Sequence, residues 1–243
     1  MVQITRRDDA MLDWLKTVRM ADMDAIRWAL AALTDGGADK PVGIRMAQTW
    51  VARLLEAGML DRARPSYQEG QIVWASHQAI GRQAPNIYRQ TTRHEVAVAA
   101  VSARYLARGY TWSRDRRPES MQDHMVDGIA INGASVDLIE VELTPKTLNR
   151  YRHICTTHGS KLADGTVSRV VYFSTREAAR TVAREADKFI FRDHRHRLVT
   201  LPVFNARGKW TGPETGPWSD DIPTVTDGRE LPTPELWDRQ VVS

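Results

Sequence analysis

The sequence predicts an α+β protein: three helices and a β-hairpin first, then a mixed α/β unit, then an irregular tail. Three observations predict it. Apolar residues recur at helical spacing three times before residue 58, and two strand-like runs around a turn follow. Beyond residue 93 helical and strand patterns alternate. From residue 205 onward Pro, Gly and Asp accumulate and periodicity disappears. The expected divisions are 1–78, a linker at 79–92, 93–204, and a tail at 205–243.

The first helix is expected over about 7–18, where Met11, Leu12, Leu15 and Val18 share one face. Asp22 is an N-cap for a second helix over about 23–33, with Ile26, Ala29, Leu30 and Leu33 facing inward. A third helix over about 43–57 has the stripe Ile44, Ala47, Val51, Leu54 and Leu55. Gly58 stands where a helix terminus needs a left-handed residue. Strands at 59–64 and 71–75 flank a turn-prone stretch at 65–70 and read as a hairpin. Trp14, Trp28, Trp50 and Trp74 read as packing residues.

In the second unit, a helix is expected over 94–108 and a strand over 110–113, before an Arg-, Pro- and Ser-rich loop that reaches residue 123. Strands at 125–131 and 136–143 meet at Asn132-Gly133, a hairpin signal. A helix from about 146 to 157, a strand at 169–173, a helix at 175–187 and a strand at 198–204 complete the series.

Composition narrows the functional classes. The 243 residues are 42% hydrophobic and 26% charged, enough for one large or two small globular domains. One cysteine, Cys155, permits no internal disulfide; it reads as a buried packing residue in a protein of a reducing compartment. The N-terminus lacks a signal-peptide pattern and no apolar run is long enough for a membrane span, so a cytoplasmic location away from membranes is expected. Net charge is +4, but thirteen bases oppose five acids between Lys40 and Arg117, while the tail beyond Phe204 has four bases and seven acids. Such concentration favours a phosphate-binding surface.

Three helices followed by a hairpin is the order of a winged helix-turn-helix. The run Val51-Ala52-Arg53-Leu54-Leu55-Glu56-Ala57-Gly58-Met59-Leu60 resembles the end of the recognition helix and the first wing strand of bacterial winged-helix regulators. With the stripe facing inward, Arg45, Gln48, Thr49 and Arg53 face outward, and Arg and Gln are residue types that read guanine and adenine edges. Arg62 and Arg64 on the first wing strand are placed to reach phosphates or the minor groove. Double-stranded DNA is the expected partner, with a nucleoid-associated location in a bacterial host and a homodimer as one form of the protein.

The order helix, three strands, helix, strand from residue 94 to 173 matches the core of the PD-(D/E)XK nuclease fold, a restriction-endonuclease-like α/β arrangement. Here a more specific resemblance emerges. Residues Arg93-His94-Glu95-Val96-Ala97-Val98, Val126-Asp127-Gly128-Ile129, and Ile139-Glu140-Val141-Glu142-Leu143-Thr144-Pro145-Lys146 with Arg150-Tyr151 resemble the replication-relaxation family of actinobacterial plasmids and phages. The resemblance covers roughly residues 5–205, and its most specific part is Glu140 to Lys146. It implies a DNA-binding winged helix joined to a nuclease-like unit of phage or plasmid origin.

Nuclease chemistry needs carboxylates on adjacent strands to hold a hard cation, usually Mg2+. Asp127, Glu140 and Glu142 are the candidate metal ligands, Glu95 a further acid, and Lys146 a group to steady the attacking water or the transition-state charge. Glu140 and Glu142 are two apart on one strand and share a face. Two departures from the nuclease pattern stand out. Val126 precedes Asp127 where the motif has proline, and Glu142 occupies the motif's lysine position. Pairing of Glu140 and Glu142 with arginines such as Arg150 or Arg152 is the alternative to metal binding. His153 and His158, and His194 with His196, read as surface histidines rather than zinc ligands. Three functions stay open. One is a DNA-binding protein of replication control or transcription regulation with a non-catalytic nuclease-like unit. The others are a metal-dependent endonuclease or nickase and a winged helix that binds protein.

Overall fold

In the computed structural model, which describes residues 3–66, 68, 70–115 and 124–213, three helices open the chain: α1 Arg6–Val18, α2 Met23–Asp35 and α3 Ile44–Glu56. Local chemistry starts each of the first two. Thr5 and Asp8 form a reciprocal capping box at α1, and the Asp22 carboxylate accepts from the Ala25 amide at 2.9 Å to cap α2. A two-residue strand, β1 Ala21–Asp22, lies between them, too short to announce itself by periodicity. β2 Leu60–Ala63 and β3 Ile72–Ala75 form the antiparallel hairpin, and β1 adds to it in the order β1-β3-β2.

The inward stripe of α3 differs from the expected one. Ala47, Trp50, Val51 and Leu54 are buried, whereas Ile44, the first helical residue, is 46% exposed. Trp50 takes the inward place because its indole N–H finds a buried acceptor, Asp8, at 2.8 Å. All four tryptophans read as packing residues are buried.

The stretch expected as a linker holds the end of the short helix α4 His77–Ile80 and the start of α5 Thr92–Ala107. Twelve of the sixteen residues of α5 are buried, which makes it a central helix shared by both halves. On one side Trp14 of α1 donates to Ser102 at 3.1 Å and Arg104 pairs with Asp24 of α2 at 2.7 Å. On the other side Tyr105 donates to Asp137 in the second sheet at 3.0 Å. One apolar cluster accordingly runs from α1–α3 through α5 to the sheet.

That sheet has the order β4-β5-β6-β7-β8: β4 Thr111–Ser113, β5 Gly128–Asn132, β6 Ser135–Glu142, β7 Arg169–Thr175 and β8 Leu198–Phe204. The first three strands are antiparallel neighbours; β6, β7 and β8 run parallel and are joined by α6 Leu148–Ala163 and α7 Arg176–Phe189. The helix–three strands–helix–strand order expected from the sequence is therefore present. Gly133, at φ 56°, opens the two-residue turn between Asn132 and Ser135. A Cβ at Gly128 would overlap the Trp112 ring on β4, so only glycine lets these strands pair there.

β6 is central, and alternation divides it. Ile139 and Val141 join the α5 cluster, while Val136 and Leu138 join a second cluster with Tyr151, Ile154 and Cys155 of α6 and Val182 of α7. Cys155 is buried, as expected. α6 begins later and ends later than expected, because its apolar stripe continues through His158 to Leu162; Lys146 lies in the loop before it. Of the expected irregular tail, residues 205–213 turn back: Thr211 donates to the Val203 carbonyl at 2.7 Å and the Trp210 ring packs on Phe204 and Phe173. The rest of the tail and residues 116–123 of the expected loop lie outside the described residues. Among the described residues no helix is long and apolar enough to cross a membrane.

Candidate functional site

Antiparallel pairing brings the start of β5 beside the end of β6. Asp127 immediately precedes β5. Its amide donates to the Ile139 carbonyl at 2.9 Å, and its carboxylate accepts from the Val141 amide at 2.8 Å. The same carboxylate oxygen lies 3.1 Å from His94 Nε2 on α5. Burial disfavours charge on His94, but the Asp127 carboxylate outweighs it and raises the imidazole pKa above its usual value. Glu95, the next residue of α5, is ion-paired with Arg114, whose guanidinium also donates to the Asp127 carbonyl at 3.0 Å. Glu95 and Asp127 are thus tied to α5 and to the end of β4, each with its own cationic or imidazole partner.

Glu140 and Glu142 project together from β6 toward α6, as their two-residue spacing requires. Glu140 is 2% exposed and its Oε1 faces two imidazoles, His124 Nε2 at 2.5 Å and His158 Nε2 at 3.1 Å. Burial opposes ionisation of Glu140, but the two histidine hydrogen bonds overcome it and hold the carboxyl well below the usual carboxylate range. His158 is fully buried, and loss of water lowers its pKa despite the neighbouring carboxylate. A neutral His158 donating to an ionised Glu140 satisfies both tendencies. Glu142, 5% exposed, is ion-paired with Lys146. Burial lowers the Lys146 pKa, and the Glu140 and Asp127 charges partly restore it, so the ammonium stands in the field of both carboxylates.

Several expected placements are revised. The arginine partners expected for Glu140 and Glu142 are replaced by His124, His158 and Lys146. His158, expected at the surface, is in the core. The expected trio Asp127, Glu140 and Glu142 is not brought together as a ligand set: among the described residues, the His/Cys/Asp/Glu group whose ligand atoms all lie within 4.8 Å of one another is His124, Glu140 and His158. A hard cation such as Mg2+ takes oxygen ligands in near-octahedral array. With Glu142 closed by a lysine and Glu140 by two imidazoles, the residues present do not fit the Mg2+ that the nuclease resemblance implies.

A legible signal existed for His158. It stands at helical spacing with Tyr151, Cys155 and Leu162, all buried, so a histidine on that stripe had to find a polar partner inside. His124 and Arg114 lie at the ends of a loop without periodicity and carried no such signal.

The second candidate surface is α3 with the β2 arm. Arg45, Gln48 and Thr49 are exposed on α3, and Arg62 and Arg64 are exposed in and just after β2. Arg62 also donates to the Gln71 side chain at 3.4 Å. Arg53 is placed differently from the rest of the expected set. Its guanidinium binds the fully buried Asp8 carboxylate at 2.5 Å and the Gln3 carbonyl at 3.0 Å. Asp8 pays for burial through that ion pair and the hydrogen bonds from Thr5 and Trp50, which together hold its pKa below the usual range. Arg53 is therefore a residue that locks α3 onto α1. No family model matches the chain, and neither a curated protein nor a solved structure matches it.

Proposed function

We propose that the protein binds double-stranded DNA through α3 and the β2–β3 hairpin, as a winged helix-turn-helix, and acts in replication control or transcription regulation. The nuclease-like unit holds and orients rather than cuts. The observation that carries this reading is the exposure of Arg45, Gln48 and Thr49 on α3 together with Arg62 in β2 and Arg64 just after it. Long cations and amides held out in water are groups that phosphates and base edges can reach. The closure of Glu140 and Glu142 by histidines and a lysine supports the non-cutting role of the second unit. The resemblance to the replication-relaxation family, carried by residues 93–98, 126–129 and 139–146 with Arg150-Tyr151, agrees with this reading.

The test is fluorescence anisotropy of a labelled duplex. Binding at low salt with log K falling linearly in log salt supports the proposal. Absence of binding at low salt rejects it and favours the helix and hairpin as a protein-docking module.

A second reading, a metal-dependent endonuclease, is favoured by one observation: Lys146 is ion-paired with Glu142 at the end of β6 where the Asp127 carboxylate is bound to the Val141 amide. Supercoiled plasmid incubated with Mg2+ or Mn2+ decides it. Nicking that disappears in Glu140→Ala supports cutting; plasmid left intact by the wild-type chain excludes it.

A further inference from the structure

We infer that His124, Glu140 and His158 form a binding site for one borderline transition-metal dication of the zinc type. Three elements converge to make it: the stretch before β5, the centre of β6, and the third turn of α6. Imidazole nitrogens and a single carboxylate oxygen suit Zn2+ or Co2+, and two nitrogens in three donors select against Mg2+. A tetrahedral ion with ligands at ~2.0–2.1 Å spaces them ~3.3 Å apart. Glu140 Oε1 is already 2.5 Å from one Nε2 and 3.1 Å from the other, so an ion opens these two edges by less than about 1 Å.

On binding, the ion replaces the proton with which His158 Nε2 donates to Glu140, so the imidazole takes the Nδ1–H tautomer. Tyr172, the strand partner of Glu140 on β7, lies with its ring 6.0 Å from that of His158 and ends in a buried hydroxyl with no partner; so does Ser174, opposite Glu142. Buried polar groups are normally satisfied, and the unpaired hydroxyl on the strand partner of Glu140 marks a place where a solute completes the bonding. His124, with 11% of its side chain exposed against 3% and 0% for the other two, is the side from which an ion enters. Three protein ligands leave a fourth position for water.

The experiment uses the full chain, stripped with a chelator and titrated with Co2+ as the spectroscopic probe. The expected result is one Co2+ per chain with the visible d–d bands of a low-symmetry site, displaced by Zn2+ and not by excess Mg2+. His124→Ala weakens binding by at least about 100-fold, beyond what loss of an outer contact costs. Glu140→Gln, which keeps the side chain's shape, does the same. His194→Ala with His196→Ala, which alters the exposed 3-10 segment Arg192–Arg197, leaves both affinity and stoichiometry unchanged. Circular dichroism of each metal-free variant establishes that it is folded. A wild-type chain that gives no visible bands overturns the site. So do bands that survive in both folded His124→Ala and Glu140→Gln, or that vanish with the His194 and His196 pair.

Discussion

The α3–hairpin surface and strand β6 use charge in opposite ways. Arg45, Arg62 and Arg64 stand in solvent, where each adds little to stability and stays available to a partner. Asp137, Glu140 and Glu142 on β6 are at most 5% exposed, and each is held by named partners: Arg169 and Tyr105, two histidines, and Lys146. A buried charge without partners is too costly to persist. The comparison teaches that in the first region a side chain can change without moving the fold, whereas in the second the site and the fold are made of the same bonds.

Asp137 offers the sharpest way to break that distinction. It is fully buried, 2.7 Å from Arg169 Nε and 3.0 Å from the Tyr105 hydroxyl, and Arg169 in turn donates to Tyr110 at 3.0 Å. Asp137→Ala strands a guanidinium and a hydroxyl in the core between α5 and β6. The expected loss is about 3–5 kcal/mol of unfolding free energy, the cost of removing one partner of a buried pair. Urea unfolding measures it. A loss under about 1 kcal/mol would show that solvent relieves Arg169, and that β6 is less sealed than its burial indicates.

The same contrast explains what the sequence made legible. The exposed region was readable because helix and strand periods need no knowledge of neighbours: α1, α2 and the hairpin follow from spacing and turn residues. So did the shared face of Glu140 and Glu142. The partners were not readable. Arg53 looked outward by helical phase, yet its long side chain reaches across 45 residues to Asp8, and Trp50 displaces Ile44 from the stripe by bonding the same carboxylate. His124 and His158 are 34 positions apart and meet only because β5, β6 and α6 fold around Glu140. Tertiary pairing of polar groups depends on which strands become neighbours, and no local pattern encodes it.

Asp8 tests the boundary between the regions, since it is a buried acid that positions a helix of the exposed surface. Its folded pKa is depressed below the ordinary aspartate value of about 3.9. The sign follows: the ionised form is favoured by folding, so the stabilisation is present above pH ~4 and is lost as pH falls through the lower folded value. Asp8→Asn removes the charge and keeps the size. At pH 7 it should cost about 1.5–3 kcal/mol, the worth of hydrogen bonds to a charged group. The gap between the two proteins should close as the pH is lowered below the usual aspartate range. Thermal unfolding across pH measures it, and a gap that is constant with pH would assign the loss to packing.

The smallest effect on the fold belongs to the exposed cations, and there the two regions separate most cleanly. Arg45→Ala with Gln48→Ala should leave stability within about 0.5 kcal/mol of wild type, because neither side chain is buried. Its effect falls on discrimination: the preferred duplex loses about 1–3 kcal/mol per lost base contact, and unrelated duplexes lose less. Arg62→Ala with Arg64→Ala should also leave stability alone, but should weaken all duplexes alike and lower the salt slope by about 1 for each lost phosphate contact. Competition binding against unrelated duplex at several salt concentrations reads both quantities. If the α3 pair changes only the salt slope, that helix rests on phosphates and the base-reading surface lies elsewhere. If the hairpin pair changes discrimination, the wing itself reads sequence in the minor groove.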